Sequence, residues 1–307
     1  MTIAYLSHPS FMAHDMGAGH PEQPARLSAI SDQLIAAGLE TALQHHDAPA
    51  ANKMQLQRAH DGEYIDSLFS AAPSQGTVWL DGDTAMNPHT LQAALHAAGA
   101  AIRGVDLVME GAAQQAFCAV RPPGHHAERN RAMGFCFFNN VVVGAAHALA
   151  HHGLSRVAIV DFDVHHGNGT EDIVADNDQI LFCSTYQHPF YPHTAEVGRH
   201  KNVINCPLPA GAGGVEFRAA IEQQWLPALE QFKPELILIS AGFDGHLLDN
   251  MAGLELLESD YEWVTQQLCR VAQRHAEGRV VSCLEGGYNL EALARSVVVH
   301  IRAFLTD

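Results

Sequence analysis

Six short stretches of the chain are dominated by apolar residues with little alternation: Ala116–Val120, Arg156–Phe162, Ile180–Ser184, Asn202–Cys206, Leu236–Ser240 and Arg279–Leu284. A strand with one wet face alternates polar and apolar; continuous runs suit strands buried on both faces. Between these runs the apolar positions recur at helical spacing, most clearly over Thr90–Met109, Asn140–His151, Val215–Phe232, Asp260–His275 and Leu290–Leu305. Strands alternating with helices predict an α/β fold, a mostly parallel sheet covered by helices on both faces. No fixed-period repeat, low-complexity tract or linker divides the chain, so residues 1–307 are read as a single domain.

Composition narrows the partners. Apolar residues make up 47% and charged residues only 17%, enough for a large core and too few charges for a disordered chain. A net charge of −17 repels phosphate backbones and anionic lipid, which argues against nucleic acid and membrane as partners. Nothing in the chain speaks against an oligomer. The six cysteines form no CxxC pair and sit mostly in apolar runs, as buried reduced thiols do. Met1–Ser10 lacks the basic start and apolar stretch of a signal peptide, and no apolar run approaches the roughly 20 residues of a membrane helix. A cytoplasmic location is expected. The unusual count is 21 histidines, the residue that most often ligates metals and moves protons near neutral pH.

In parallel sheets ligands bind beyond the carboxyl ends of the strands, so the residues there matter most. Four strand ends carry chemistry: Arg121-Pro122-Pro123-Gly124-His125-His126, Asp161 to Gly169, Ala241-Gly242-Phe243-Asp244, and Glu285-Gly286-Gly287-Tyr288. A lone Asp or His at a strand end is usually a structural hydrogen-bonder. Four such ends, each with a glycine that lets backbones approach, point to a site. In extended chain Asp161, Asp163 and His165 share a face. Two of them with Asp244 would give the three ligands, carboxylate and imidazole, of a catalytic zinc with one position open. The competing reading is a carboxylate cluster capping the next helix. His125 and His126 then suit proton transfer, and Tyr288 suits a phenolic donor to a substrate oxygen. Together these groups describe metal-assisted hydrolysis of an amide or ester.

The chain resembles the histone deacetylase family of zinc amidohydrolases, from Gly19-His20-Pro21-Glu22 through Met133 to Asn140 and on to Glu285–Leu290. Ser240 to Asp244, with Asn168, resembles the class II branch and its bacterial relatives, which include acetylpolyamine amidohydrolases. The resemblance implies the arginase–deacetylase fold, with a central, mostly parallel eight-stranded sheet. It implies Zn²⁺ held by Asp163, His165 and Asp244, with His126 as general base and then acid. His125 would act electrostatically, oriented by Asp161, and Tyr288 would stabilise the oxyanion. Asn168 would orient His126. Phe135 and Tyr191 would wall a substrate tunnel with Gly134, Gly286 and Met251. A structural K⁺ would lie among Asp161, Asp163, His165, Ser184 and Thr185, and Arg26 would stand at an acetate channel.

The implied function is removal of acetyl or another short acyl group from an N-acylated amine, an acyl-lysine side chain before an acetylpolyamine. An inactive acyl-lysine binder is disfavoured by the presence of Tyr288 and the full ligand set, and a dinuclear arginase-like centre by the shortage of bridging carboxylates. Two departures from the family pattern stand out. Asn168 replaces an aspartate, which should leave His126 less basic. Met251 occupies a rim position where polyamine-selective relatives carry Glu, so Glu22 or Asp81 would have to attract a second ammonium. The smaller signals have plainer readings: a loop at Gly211–Gly214, a turn at Asp81 and Asp83, surface imidazoles at His45-His46 and His151-His152, and His188 and His193 near the site mouth.

Overall fold

The computed structural model describes residues 3–306. Eight strands form one sheet: β1 (Ile3–Ser7), β2 (Leu43–Asp47), β5 (Gln115–Cys118), β6 (Val157–Asp161), β7 (Ile180–Gln187), β8 (Val203–Leu208), β9 (Leu236–Ala241) and β10 (Val280–Leu284). A separate antiparallel pair, β3 (Val78–Trp79) and β4 (Ala85–Met86), lies in the loop between the helices Gly62–Ala71 and Thr90–Met109. The sheet order is β2-β1-β5-β10-β9-β6-β7-β8, and every pairing in it is parallel. All six predicted strands are present within a few residues. β5, β6, β9 and β10 are buried at every position, as their unbroken apolar runs require. β1 and β2 were not anticipated. β2 reads Leu-Gln-His-His-Asp and has only Leu43 buried, the polar pattern of an edge strand.

Helices cover both faces. Thr90–Met109 packs against Asn140–His151, and Leu290–Phe304 packs between Ala25–Ala36 and Glu258–His275. Thr90–Met109 meets the sheet through small residues. A Cβ on its Gly104 would press on the side chains of Val281 and Cys118, so the helix backbone rests directly on the side chains of the sheet. The helix expected over Val215–Phe232 widens into a π turn at Ile221–Trp225. Pro227 explains this, because it has no N–H to give and its ring crowds the carbonyl four residues back. Among the described residues no helix is long and apolar enough to cross a membrane.

The four strands predicted to carry chemistry, β5, β10, β9 and β6, are neighbours in the centre of the sheet. Their registers align the ends: Asp161 lies opposite Ser240, and Leu284 opposite Ala241. Four loops far apart in sequence therefore leave the sheet side by side.

Candidate active site

Asp163, His165 and Asp244 each place one ligand atom within 4.8 Å of the other two, and all three are buried. His165 Nδ1 lies 3.1 Å from Asp163 Oδ1 and 3.3 Å from Asp244 Oδ2. The remaining carboxylate oxygens are fixed by backbone donors: Gly286 N–H to Asp163 Oδ2 at 2.9 Å and Val164 N–H to Asp244 Oδ1 at 3.0 Å. Asp244 Oδ2 is buried with no hydrogen-bond partner. Burial and the Asp163 charge push the Asp244 carboxyl up to about 6. Burial works against a charged His165, yet the attraction of the two carboxylates outweighs that and raises it to about 10. Two buried carboxylates, one unpartnered oxygen and an imidazole converging on one point are the signature of a cation site. Asp161 does not belong to this trio. Its Oδ2 accepts from His125 Nδ1 at 2.9 Å and its Oδ1 from the Asp163 N–H.

Glycines make this convergence possible. A Cβ on Gly286 would collide with Oδ2 of both Asp163 and Asp244, and one on Gly242 with the Asp163 carboxylate. The strand-end glycines are there for backbone approach to charged ligands, as the sequence suggested.

His125 and His126 follow the turn after Pro123, with ring centroids 4.0 Å apart. Glu285, buried behind them, receives the N–H groups of Gly124 and His125 and the Ser240 hydroxyl. Burial raises its carboxyl to about 7. Burial would lower His125, but Asp161 and Asp163 hold it well above the usual imidazole range. His126 is pushed the other way by burial and by the neighbouring His125 and His165. Its Nδ1 donates to Asn168 Oδ1 at 2.7 Å, and Asn168 Nδ2 donates to Glu128 Oε1 at 2.7 Å. The chain Glu128–Asn168–His126 sets the tautomer and leaves the Nε2 lone pair free. Glu128 was not anticipated: its role depends on a partner 40 residues away.

A cavity of about 290 Å³ opens onto these groups. Phe135, Tyr191, Gly134, Gly286, Met251 and Tyr288 line it, together with Phe190 and Asp83. Tyr191 stands edge-on to His126, and Phe190 stacks on His165 at 5.6 Å. Phe135 adopts φ +68°, a costly conformation for a bulky residue. It is held by its N–H to Thr84 Oγ1 at 3.0 Å and by the Gly134 N–H to Asp83 Oδ1 at 3.2 Å. His188 and His193 do not line the cavity.

Tyr288 is carried on a turn gripped from two sides. Asp249 Oδ2 accepts the N–H groups of Tyr288 and Asn289. Arg26 donates to the carbonyls of Glu285 (2.6 Å) and Gly287 (2.7 Å) and lies over the phenol ring. Burial raises the phenol well above its ordinary value, so it stays a proton donor. Glu22 cannot serve at the rim. It is fully buried and paired with Arg121, Arg26 and His14. The acid at the mouth is Asp83, two residues beyond the suggested Asp81.

Comparison with known proteins agrees with this geometry. The histone deacetylase domain model matches residues 20–304. A histone deacetylase-like amidohydrolase of Pseudomonas aeruginosa is 38% identical, over 89% of this chain and 73% of its own. The human polyamine deacetylase HDAC10 is also 38% identical, over 93% of this chain and 45% of its own length. The solved HDA15 HD domain superposes with a TM-score of 0.91 at 32% identity, covering 99% of this chain and 90% of that one. With its eight parallel strands and its strand-end constellation, the chain belongs to the histone deacetylase family and has the arginase–deacetylase fold.

Proposed function

We propose that the protein is a zinc-dependent deacylase that hydrolyses the amide of an N-acylated amine, with an acyl-lysine side chain as its substrate. The observation that carries this reading is the trio Asp163, His165 and Asp244, whose His165 lines a cavity together with His126 and the Tyr288 phenol. The unpartnered Asp244 oxygen fits a resident Zn²⁺, which when bound would polarise the amide carbonyl and acidify water. His126 Nε2 takes a proton from the attacking water and returns it to the departing amine. Its lowered basicity keeps it unprotonated and ready at neutral pH. His125, kept positive by Asp161, favours the developing negative charge. The Tyr288 phenol donates to the carbonyl oxygen as it becomes an oxyanion. Phe135 and Tyr191 grip the aliphatic stem, and Met251 gives an apolar rim. A structural K⁺ would rest among Asp161, Asp163, His165, Ser184 and Thr185, where the Ser184 hydroxyl is buried without a partner. Arg26, whose nitrogens bond the turn of Tyr288, borders the route by which a small carboxylic acid would leave.

A second reading, an acetylpolyamine as substrate, is favoured by the Asp83 carboxylate at the mouth, which would attract a distal ammonium. Turnover of an acetyl-lysine peptide is to be compared with that of acetylspermidine, each with and without a hydroxamate chelator. Faster, chelator-sensitive turnover of the peptide is expected. Faster turnover of the polyamine would replace the first reading with the second, and no turnover of either by metal-loaded protein would sink both.

A further inference from the structure

Far from the cavity, a second set of nitrogen and oxygen donors converges where two helices end. Asp106 lies in the last turn of Thr90–Met109. His147 and His151, four residues apart, share a face of Asn140–His151, and His152 follows at the C-terminal cap. Asp106 Oδ1 lies 2.7 Å from His147 Nε2 and 2.8 Å from His152 Nε2. The rings of His147 and His151 stack at 4.9 Å, and those of His151 and His152 stand perpendicular at 5.0 Å. One ligand atom from each of the four lies within 4.8 Å of the others.

Imidazoles at a helix C-terminus are common, because the dipole there favours a cation. That accounts for His151 and His152. It does not account for a carboxylate from another helix shared by two imidazoles while a third stacks beside them. We propose that Asp106, His147, His151 and His152 form a second divalent-metal site, with Zn²⁺ as its occupant. Three imidazoles and one carboxylate match the donor preference of zinc. Tetrahedral bonds of about 2.1 Å put ligand atoms about 3.4 Å apart, so the present spacing closes by small side-chain rotations.

Arg58 guards the metal-free arrangement. Its Nη1 donates to His147 Nδ1 at 3.1 Å, which keeps the His147 proton on Nε2, facing Asp106. Metal binding moves that proton to Nδ1 and turns the exposed Arg58 away. The site takes four protein ligands, the closed set of a structural zinc. It would tie together two helices, one of which starts at Asn139, bonded to Thr170 and Ala127 beside the His125-His126 turn.

The test is metal analysis of the whole protein after zinc saturation and desalting. The doubly substituted His151→Ala, His152→Ala protein should hold one zinc fewer per chain than the parent, with unchanged deacylation. Both residues are at least partly exposed, so the fold survives their loss. Arg58→Ala should hold the additional ion more tightly than the parent. Equal zinc content in parent and double variant would overturn the proposal, as would weaker binding in Arg58→Ala. The count is a difference at four residues outside the cavity, so it stands or falls independently of the deacylase reading.

Discussion

The two histidine–aspartate groups of this molecule differ first in what carries them. Asp163, His165 and Asp244 follow the ends of central strands and are buried, and His165 lines a cavity. Asp106, His147, His151 and His152 ride on helix ends, and His151 faces solvent. A set of three beside a cavity leaves a position for a reactant; a set of four without one leaves none. Residue type alone does not separate catalysis from bracing. The number of ligands and the space beside them do.

The strongest break of this comparison comes from a cavity ligand. Asp163→Asn should empty the catalytic centre and lower turnover on the order of 10³-fold or more, with loss of metal seen in the same sample. Retained turnover would mean that the trio is not the centre. Next comes Tyr288→Phe, expected to cut turnover by roughly 10²- to 10³-fold while the metal content holds, as for loss of an oxyanion donor. A smaller change is expected from Asn168→Asp. A charge opposite Nδ1 stabilises the imidazolium, so the His126 pKa rises, the base is protonated at higher pH, and the acid limb of kcat/KM moves up, by about one unit. An unmoved limb would detach Asn168 from the base. The smallest effect on turnover belongs to the helix-end group. His152→Ala should leave the rate within about twofold, yet reduce the stability gained from added zinc, up to about 2.7 kcal/mol at a hundredfold excess over Kd, read as a shift in Tm.

The cavity group was legible because most of its chemistry is local in the sequence. Asp161, Asp163 and His165 are spaced by two, and Gly286 precedes Tyr288 by two, so strand-end reasoning reaches them without knowing the fold. Sheet order then added what no spacing reveals, that the four loops are neighbours. Glu128 and Asp249 escaped notice because each acts through a partner about 40 residues away. His151-His152 was noticed and read as surface, since Asp106 sits on another helix 46 residues from His152. Glu22 was misplaced for a related reason: an acid in a polar segment reads as exposed until Arg121, folded in from the loop after β5, shows it to be the centre of a buried ion cluster.

The position of β9 and β10 has a consequence for how the chain is made. Of the eight strands of the sheet these two are synthesised last, yet they occupy its middle, between β5 and β6. Until residue 236 has left the ribosome, β2-β1-β5 and β6-β7-β8 are two half-sheets, each with a raw hydrogen-bonding edge of apolar residues. Such edges invite pairing with other chains. The nascent chain is therefore most exposed to misassembly before β9 and β10 join, and closure of the sheet coincides with the arrival of Asp244 and Tyr288. Closure of the sheet and convergence of the candidate site are one event.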